Sequence, residues 1–323
     1  MKELKIEDLK NLFMVMTTPW CVYILGAGAS FGLAPLTSQM SADYKKEHPR
    51  VWFVNGRESI EHDEMFKRII GHINNDNKDI FLKNMSKVEL PLLFQRRLVI
   101  SPKKCICPQY QIFNIIALPR ILFNFNLDGL ASYYCGNLPW GLNAHGTIDR
   151  KSVENTEKYK NNLIKAAEFN IGPRDNLNKV LPGQEPKYIT NKACYKKVQE
   201  IFPNIRYVVI IGYSFARFEG KYDDIESLLF FIDLLKRYPK PVFIVDPYPT
   251  EITELFQNET KSYSVFPIPA FWDKLSSAIF KIGIRNNCLD LNRLGKKLNE
   301  IIDLYYKYIY EKRNIFNCFH TNN

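Results

Sequence analysis

A glycine-rich turn directly after a short apolar run constrains this chain more than any other feature. The apolar run spans Cys21–Leu25, and the turn that follows, residues 26–32, reads GAGASFG. A buried strand that enters such a turn lets backbone N–H groups approach a diphosphate at a helix N-terminus. The third glycine follows the second by four residues, and the usual dehydrogenase spacing is three. A tight strand-to-helix connection that binds nothing explains the turn equally well, so the turn alone does not decide the function.

Three later apolar runs, at residues 121–123, 207–211 and 242–245, also end in polar or glycine residues. The residues that follow these runs are, in chain order, Asn124, Asn126, Asp128, His145, Gly146, Gly212, Ser214 and Asp246. In an open parallel sheet the carboxyl ends of the strands lie at one edge, and ligands bind at that edge. The sequence therefore predicts a parallel sheet whose carboxyl edge carries a ligand site.

The alternation of strands and helices along the chain predicts an α/β fold. Helical apolar spacing between residues 225 and 238 places a crossover helix before the strand at Val242. Such alternation is what a right-handed, doubly wound sheet requires. We therefore expect a Rossmann-like doubly wound parallel sheet with an inserted helical subdomain and C-terminal helices.

The ordered set of motifs resembles the SIR2 (sirtuin-like) family of NAD-consuming domains. The family pattern is a GAG-x-S turn, an N-x-D strand end, a His-Gly pair, a G-x-S turn, and an Asn or Asp after the last core strand. The resemblance covers roughly residues 20–250. Within the family, the chain looks most like the bacterial anti-phage NADases that lack a zinc module. The resemblance implies that NAD is the substrate.

The resemblance implies catalytic roles for His145 and Asn126. His145 would be the general base, since the pKa of a histidine lies near the working pH and Gly146 leaves room for a ribose. Asn126 has both a donor and an acceptor, which suits gripping a ribose hydroxyl or orienting a water. Asp128 would hold the carboxamide of nicotinamide. Without the other motifs, the His-Gly pair would be more typical of a structural histidine.

The remaining predicted contacts to NAD come from the two turns and the last strand. The diphosphate would lie against backbone N–H groups of the first turn. The adenosine half would lie against the residues that follow the apolar runs at 207–211 and 242–245. The cofactor-binding residues expected beside Asp128 are Gly26, Ala27, Gly28, Ser30, Gly212, Ser214 and Asp246. A simple turn serine is the alternative for Ser214. Two positions depart from common family residues, since Asn124 stands where Thr is frequent and Asp246 where Asn is frequent.

The cysteine pattern argues against a metal site and against protein deacylation. The chain has seven cysteines without regular spacing, which is typical of a reducing compartment. Sirtuin deacylases carry a structural zinc on two C-x-x-C pairs. Here only Cys105 and Cys107 are closely paired, with C-x-C spacing, and no second pair follows. We therefore expect no metal.

The net charge and the lengths of the apolar segments limit which partners and which cellular location are expected. The 44 Lys and Arg against 34 Asp and Glu give a net charge of +10, which favours anionic partners. The basic residues are scattered, so a nucleic acid is expected only as an indirect partner. The N-terminus carries acidic residues and does not resemble a secretory signal, and no segment approaches the roughly 18 apolar residues of a membrane span. The expected location is the cytoplasm, without membrane contact.

The domain prediction places a SIR2-like NAD-binding domain at residues 1–270 and a C-terminal helical extension at 271–323. A helical insertion at about 40–115 and a polar loop at about 149–190 interrupt the first domain. Apolar helical stripes at 61–90 and 289–310 exceed what a nucleotide fold needs. Such stripes are commonly buried against another chain, so we expect a homo-oligomer.

Three functions are compatible with the motifs. The favoured one is an NAD hydrolase that acts in abortive-infection antiviral defence and stays inactive until triggered, with a separately encoded regulator or sensor protein. The alternatives are an NAD-dependent protein deacylase and a catalytically silent nucleotide-sensing subunit of a nucleic-acid-linked complex. The presence of both Asn126 and His145 speaks against the silent subunit.

The cysteine spacing generates a first prediction, on zinc content. Elemental analysis of the purified full-length protein should find no stoichiometric zinc, because four thiolate or imidazole ligands at suitable spacing are absent from the sequence. One zinc per chain would contradict this prediction and would favour the deacylase.

Overall fold

The structure is a computed structural model that describes residues 2–34, 107–126, 130–135, 141–144, 192–215, 217–218, 221–222, 225–261, 264–286 and 290–310. Its centre is a six-stranded sheet in which every neighbouring pair is parallel. The strands are β1 Cys21–Leu25, β2 Arg120–Asn124, β3 Gly141–Asn143, β4 Tyr207–Ile211, β5 Val242–Asp246 and β6 Val265–Pro269. Their spatial order is β3-β2-β1-β4-β5-β6. This is the strand order of the dinucleotide-binding Rossmann fold, so the predicted fold class is confirmed.

The inner strands are continuous apolar runs because both faces of the sheet are covered. All five residues of β1 are buried, as expected for a parallel sheet with helices on each side. Successive side chains point to opposite faces. Tyr23 and Leu25 therefore join one apolar core, and Val22 and Ile24 join the other.

Helices cover both faces of the sheet. They are α1 Ile6–Met16, α2 Pro108–Gln111, α3 Leu130–Tyr134, α4 Lys192–Ile201, α5 Ile225–Arg237, α6 Thr250–Thr260, α7 Trp272–Arg285, α8 Leu291–Leu294 and α9 Leu298–Tyr310. Side chains of α1, α2, α3, α7, α8 and α9 pack on the Tyr23 face, and those of α4, α5 and α6 pack on the Val22 face. The crossover helix predicted between residues 225 and 238 is confirmed as α5. A separate two-stranded hairpin, Arg217–Phe218 with Lys221–Tyr222, follows β4.

The C-terminal helix α9 completes the core of its own chain. Its apolar stripe was expected to bury against a second chain, and for α9 this expectation is wrong. Ile301 and Tyr305 are fully buried in the same cluster as α1 and β1. The Tyr306 hydroxyl accepts the Leu4 N–H at 2.8 Å, which ties the two ends of the described chain together. The other stripe, at residues 61–90, lies outside the described residues.

The described parts of the other predicted segments are few. Of the predicted insertion, only residues 107–115 are described, and Tyr110, Ile112 and Phe113 within it are fully buried in the main core. The polar loop at 149–190 lies entirely outside the described residues. None of the helices in the described ranges is long and apolar enough to cross a membrane.

Candidate functional site

Those of the predicted polar residues that the structure describes lie at the carboxyl edge of the sheet. Leu25 at the end of β1 is in register with Asn124 of β2 on one side and Ile211 of β4 on the other. Ile211 in turn is in register with Val245 of β5. The strand order reverses between β1 and β4, and open α/β sheets bind their ligands at such a switch point.

The turns that follow β1 and β4 pack directly against each other. The Gly26 N–H donates to the Ile211 carbonyl at 3.0 Å, and the Gly28 N–H donates to the Gly212 carbonyl at 2.9 Å. Gly212 has a φ of +55°, and a Cβ placed on it would lie 2.5 Å from the Gly28 Cα. Glycine is required at these positions because two backbones meet where a side chain has no room.

The packing of the two turns occupies some backbone N–H groups of the first turn. Ala27–Ser30 form a single 3-10 turn, and not the start of a longer helix. The Gly28 N–H is taken by the Gly212 carbonyl, and the Ala29 N–H donates to the Gly26 carbonyl at 2.9 Å. Those two N–H groups are therefore committed inside the chain. The prediction that backbone N–H groups around Ala27–Ser30 bind a diphosphate stays a prediction, and Ala27 is the exposed residue of this four-residue 3-10 turn.

Asn126 is held in a buried polar cluster beneath the first turn. Its Nδ2 donates to the Gly26 carbonyl at 2.8 Å, and lies 3.1 Å from the Tyr110 hydroxyl and 3.2 Å from the Ser30 Oγ. The hydroxyls of Ser30 and Tyr110 also contact each other. We call Ser30, Tyr110 and Asn126 the Asn126 cluster. Because the Gly26 carbonyl can only accept, the side-chain nitrogen of Asn126 must face it.

Asn124 fixes the backbone of Asn126. The Asn126 N–H donates to the Asn124 Oδ1 at 3.1 Å, and the Asn124 Nδ2 donates to the Asn126 carbonyl at 3.2 Å. Asn124 is 1% exposed, so its amide points into the protein. Asn124 therefore has a structural role, which is to hold the strand end that carries Asn126.

Helix α2 supplies site residues that the sequence reasoning missed. Besides Tyr110 in the Asn126 cluster, Gln109 donates from Nε2 to the Phe31 carbonyl at 2.8 Å. The Gln109 carbonyl accepts the Trp272 indole N–H at 3.0 Å. Helix α2 thus ties the first turn to α7. The only sequence signal was a polar Gln-Tyr-Gln run after Pro108 inside an apolar stretch.

The turn after β4 is anchored by aromatic packing and presents Ser214. The ring of Tyr213 stacks on Phe125 with centroids 4.1 Å apart and an interplanar angle of 15°. Phe215 is fully buried, although its φ is +53°. Ser214 between them is exposed and makes no hydrogen bond to the described residues.

Asp246 ends β5 as a half-buried carboxylate. Burial raises the pKa of Asp246 above its ordinary value, and the hydrogen bond from the Tyr248 N–H opposes that rise. This bond, at 2.8 Å to Oδ1, is the one that the described residues donate to the carboxylate. No lysine or arginine of the described ranges pairs with it. Asp246 is therefore an acceptor with capacity left for ligand donors.

The described part of the chain brings together Gly26, Ser30, Asn126 and Gly212, with Ser214 and Asp246 farther along the same edge. His145 and Asp128 lie outside the described residues, so their predicted roles remain predictions. Within the described ranges, no group of three His, Cys, Asp or Glu side chains could hold a metal ion.

Comparisons with known proteins add little to this geometry. No protein-family model matches the chain, and no curated protein matches it. A solved structure described as "Structural Basis for the Mechanism and Regulation of Sir2 Enzymes" matches 94% of this chain and 99% of its own, with 13% identity and a TM-score of 0.44. This similarity is too low to transfer a residue role or an activity.

The contact between the two turns predicts the cost of a side chain at Gly212. Gly212→Ala should lower the free energy of unfolding by about 1–3 kcal/mol, because alanine is strained at positive φ and its Cβ meets the Gly28 backbone. Gly295→Ala is the matched control, since the nearest atom to its Cβ would be Phe13 Cδ1 at 3.8 Å. Denaturant unfolding measures both, and equal stabilities of the two variants would contradict the packing argument.

The half-buried carboxylate predicts a pH-dependent effect at Asp246. Asp246→Asn should raise the Tm at pH 7.5, since an amide oxygen can accept the Tyr248 N–H without the cost of desolvating a charge. The folded-state pKa is raised, so the carboxylate costs stability above that pKa. The advantage of the amide should therefore shrink as the pH falls through the raised pKa. A destabilised variant at pH 7.5 would contradict this sign.

Proposed function

We propose that this chain binds NAD across the carboxyl edge of its sheet and hydrolyses it to nicotinamide and ADP-ribose. The observation that carries the proposal is the position of Asn126. Its amide is held at the switch point by Gly26, Ser30 and Tyr110, and none of the described residues donates to its Oδ1. An oriented acceptor at a dinucleotide-binding crevice suits a ribose hydroxyl or a water molecule.

The reaction places modest demands on the protein. The bond between ribose C1′ and the nicotinamide nitrogen breaks, and its electron pair neutralises the departing pyridinium ring. A water oxygen then bonds to C1′, and the water gives up a proton. The protein must bind the dinucleotide, orient the water and accept that proton. In this proposal Asn126 orients, His145 accepts the proton, and Asp128 holds the carboxamide of nicotinamide.

The adenosine half of NAD is proposed to extend toward β5. The Ser214 hydroxyl and the Asp246 carboxylate both have hydrogen-bonding capacity that the described residues leave unused. Asp246 would accept from the ribose hydroxyls, as acidic strand-end residues do in dinucleotide folds. The order of the motifs, which resembles that of SIR2-like NADases, supports the same direction of binding.

The biological role that we propose is antiviral defence by NAD depletion in the cytoplasm. An enzyme that destroys NAD must be silent until infection, so we propose a homo-oligomer controlled by a separately encoded regulator or sensor protein. The apolar stripe at residues 61–90 is the sequence feature that supports such an assembly. This part of the proposal rests on the family resemblance.

NAD turnover by the purified full-length protein, and NAD levels in cells that express it, test the proposed activity. Asn126→Ala and His145→Ala should each lower turnover by about 10²–10⁴-fold, the usual contribution of such groups. Asn292→Ala, at an exposed asparagine of α8, is the control for a general effect of the substitution. Wild-type turnover in the two site variants would contradict the assigned roles.

Two further arms separate the alternatives. Release of nicotinamide that requires an acyl-lysine peptide would identify a deacylase, whereas release with water alone supports the hydrolase. A series of protein concentrations, with mass measured alongside turnover, tests the oligomer. A monomer with constant specific activity at every concentration would contradict control through assembly.

A further inference from the structure

The Asn126 side chain is restricted to one orientation by the atoms around it. Its amide nitrogen carries two hydrogens, and the nearest acceptor, the Gly26 carbonyl at 2.8 Å, takes one of them. The second lies between the hydroxyl oxygens of Tyr110 and Ser30, at 3.1 and 3.2 Å. Asn126 is only 7% exposed, so an amide hydrogen without one of these acceptors would have little access to water.

The opposite orientation of the amide is strongly disfavoured. A half-turn about the last side-chain bond would bring Oδ1 against the Gly26 carbonyl, and two acceptors would then face each other. Oδ1 is therefore directed away from Gly26 and from the two hydroxyls. Since none of the described residues donates to it, Oδ1 is the atom through which Asn126 can act on a ligand.

We propose that Tyr110 is a positioning residue for NAD cleavage, which acts by keeping Asn126 Oδ1 directed at a donor O–H of the ribose or the water. This inference rests on the proposed function. The Tyr110 side chain is fully buried, so it acts through Asn126 and not by touching NAD. Its helix is held in place from both sides, because Gln109 bonds to Phe31 and accepts from Trp272.

The hydroxyls of Ser30 and Tyr110 both lie within hydrogen-bond distance of the Asn126 amide nitrogen. Ser30 follows the glycine turn directly, and Tyr110 lies 80 residues later in the chain. Their contact joins the first turn to α2, and both oxygens lie within reach of the same amide hydrogen. Loss of one hydroxyl leaves the other as an acceptor, so the expected effect of a single substitution is moderate.

Tyr110→Phe tests the inference, because it removes the hydroxyl and keeps the ring in the core. We expect kcat for NAD cleavage to fall roughly tenfold, the equivalent of one net hydrogen bond, with the KM for NAD nearly unchanged. Tyr305→Phe is the matched control. It also removes a fully buried hydroxyl with one hydrogen bond, from the Phe271 N–H at 3.2 Å, and should leave kcat unchanged.

A double-mutant cycle with Asn126→Ala distinguishes positioning from a structural role. If Tyr110 acts through the Asn126 amide, Tyr110→Phe should cause no further loss of kcat once that amide is gone. A general loss of folded or active enzyme would instead lower kcat by the same factor in both backgrounds. Ser30→Ala, measured in the same two backgrounds, repeats the test if Tyr110→Phe does not fold.

Each outcome of this cycle decides something. A tenfold loss that disappears in the Asn126→Ala background supports the inference. The inference is overturned if the wild-type protein cleaves NAD and Tyr110→Phe either causes no loss or causes the same loss in both backgrounds. The proposed function then still stands. A wild-type protein that neither binds nor cleaves NAD overturns the proposed function, and the inference with it.

Discussion

The hydrogen bond from the Gly28 N–H to the Gly212 carbonyl is the contact on which the site depends. It joins the turns of β1 and β4 where the strand order reverses, and it is possible only because neither residue has a side chain. With these turns closed on each other, the Gly26 carbonyl is fixed in a place where Asn126 can donate to it. The glycines thus serve the fold first, and they shape the crevice as a consequence.

Strands β1, β2, β4 and β5 were predictable because each contains a short apolar run that is followed by glycine, asparagine or aspartate, whereas β3, Gly141–Asn143, has no such run. Parallel strands with both faces covered need such runs, so their order along the chain was enough to predict a doubly wound sheet. The location of α9 was not predictable in this way. An apolar helical stripe looks the same whether its own chain or another covers it, and the deciding contact, between Leu4 and Tyr306, joins residues 302 positions apart.

The site residues that belong to a sequence motif were predictable. Those that reach the site only through packing of the folded chain were not. The turn residues and Asn126 follow apolar runs, so the sequence placed them at one edge of the sheet. Tyr110 has no such signal, since a buried tyrosine in an apolar segment is typical of a core residue. Only the folded chain brings its hydroxyl to Ser30 and Asn126. The same holds for the glycine N–H groups, because the sequence cannot tell which of them the fold itself uses.

The pattern of satisfied and unsatisfied polar atoms indicates what kind of ligand fits this edge. The described residues satisfy the donors of Asn126, and among them Asn126 Oδ1, the Ser214 hydroxyl and part of the Asp246 carboxylate have no partner. These groups follow β2, β4 and β5. The outer two of these strands, β2 and β5, are three strand spacings apart, or roughly 14 Å. Asn126 Oδ1 and the Asp246 carboxylate can only accept, so each suits a hydroxyl or amide donor of a ligand. The NAD that we propose as the ligand has two riboses joined through a diphosphate, so it would offer donor hydroxyls at both points, whereas a single nucleoside has only one ribose.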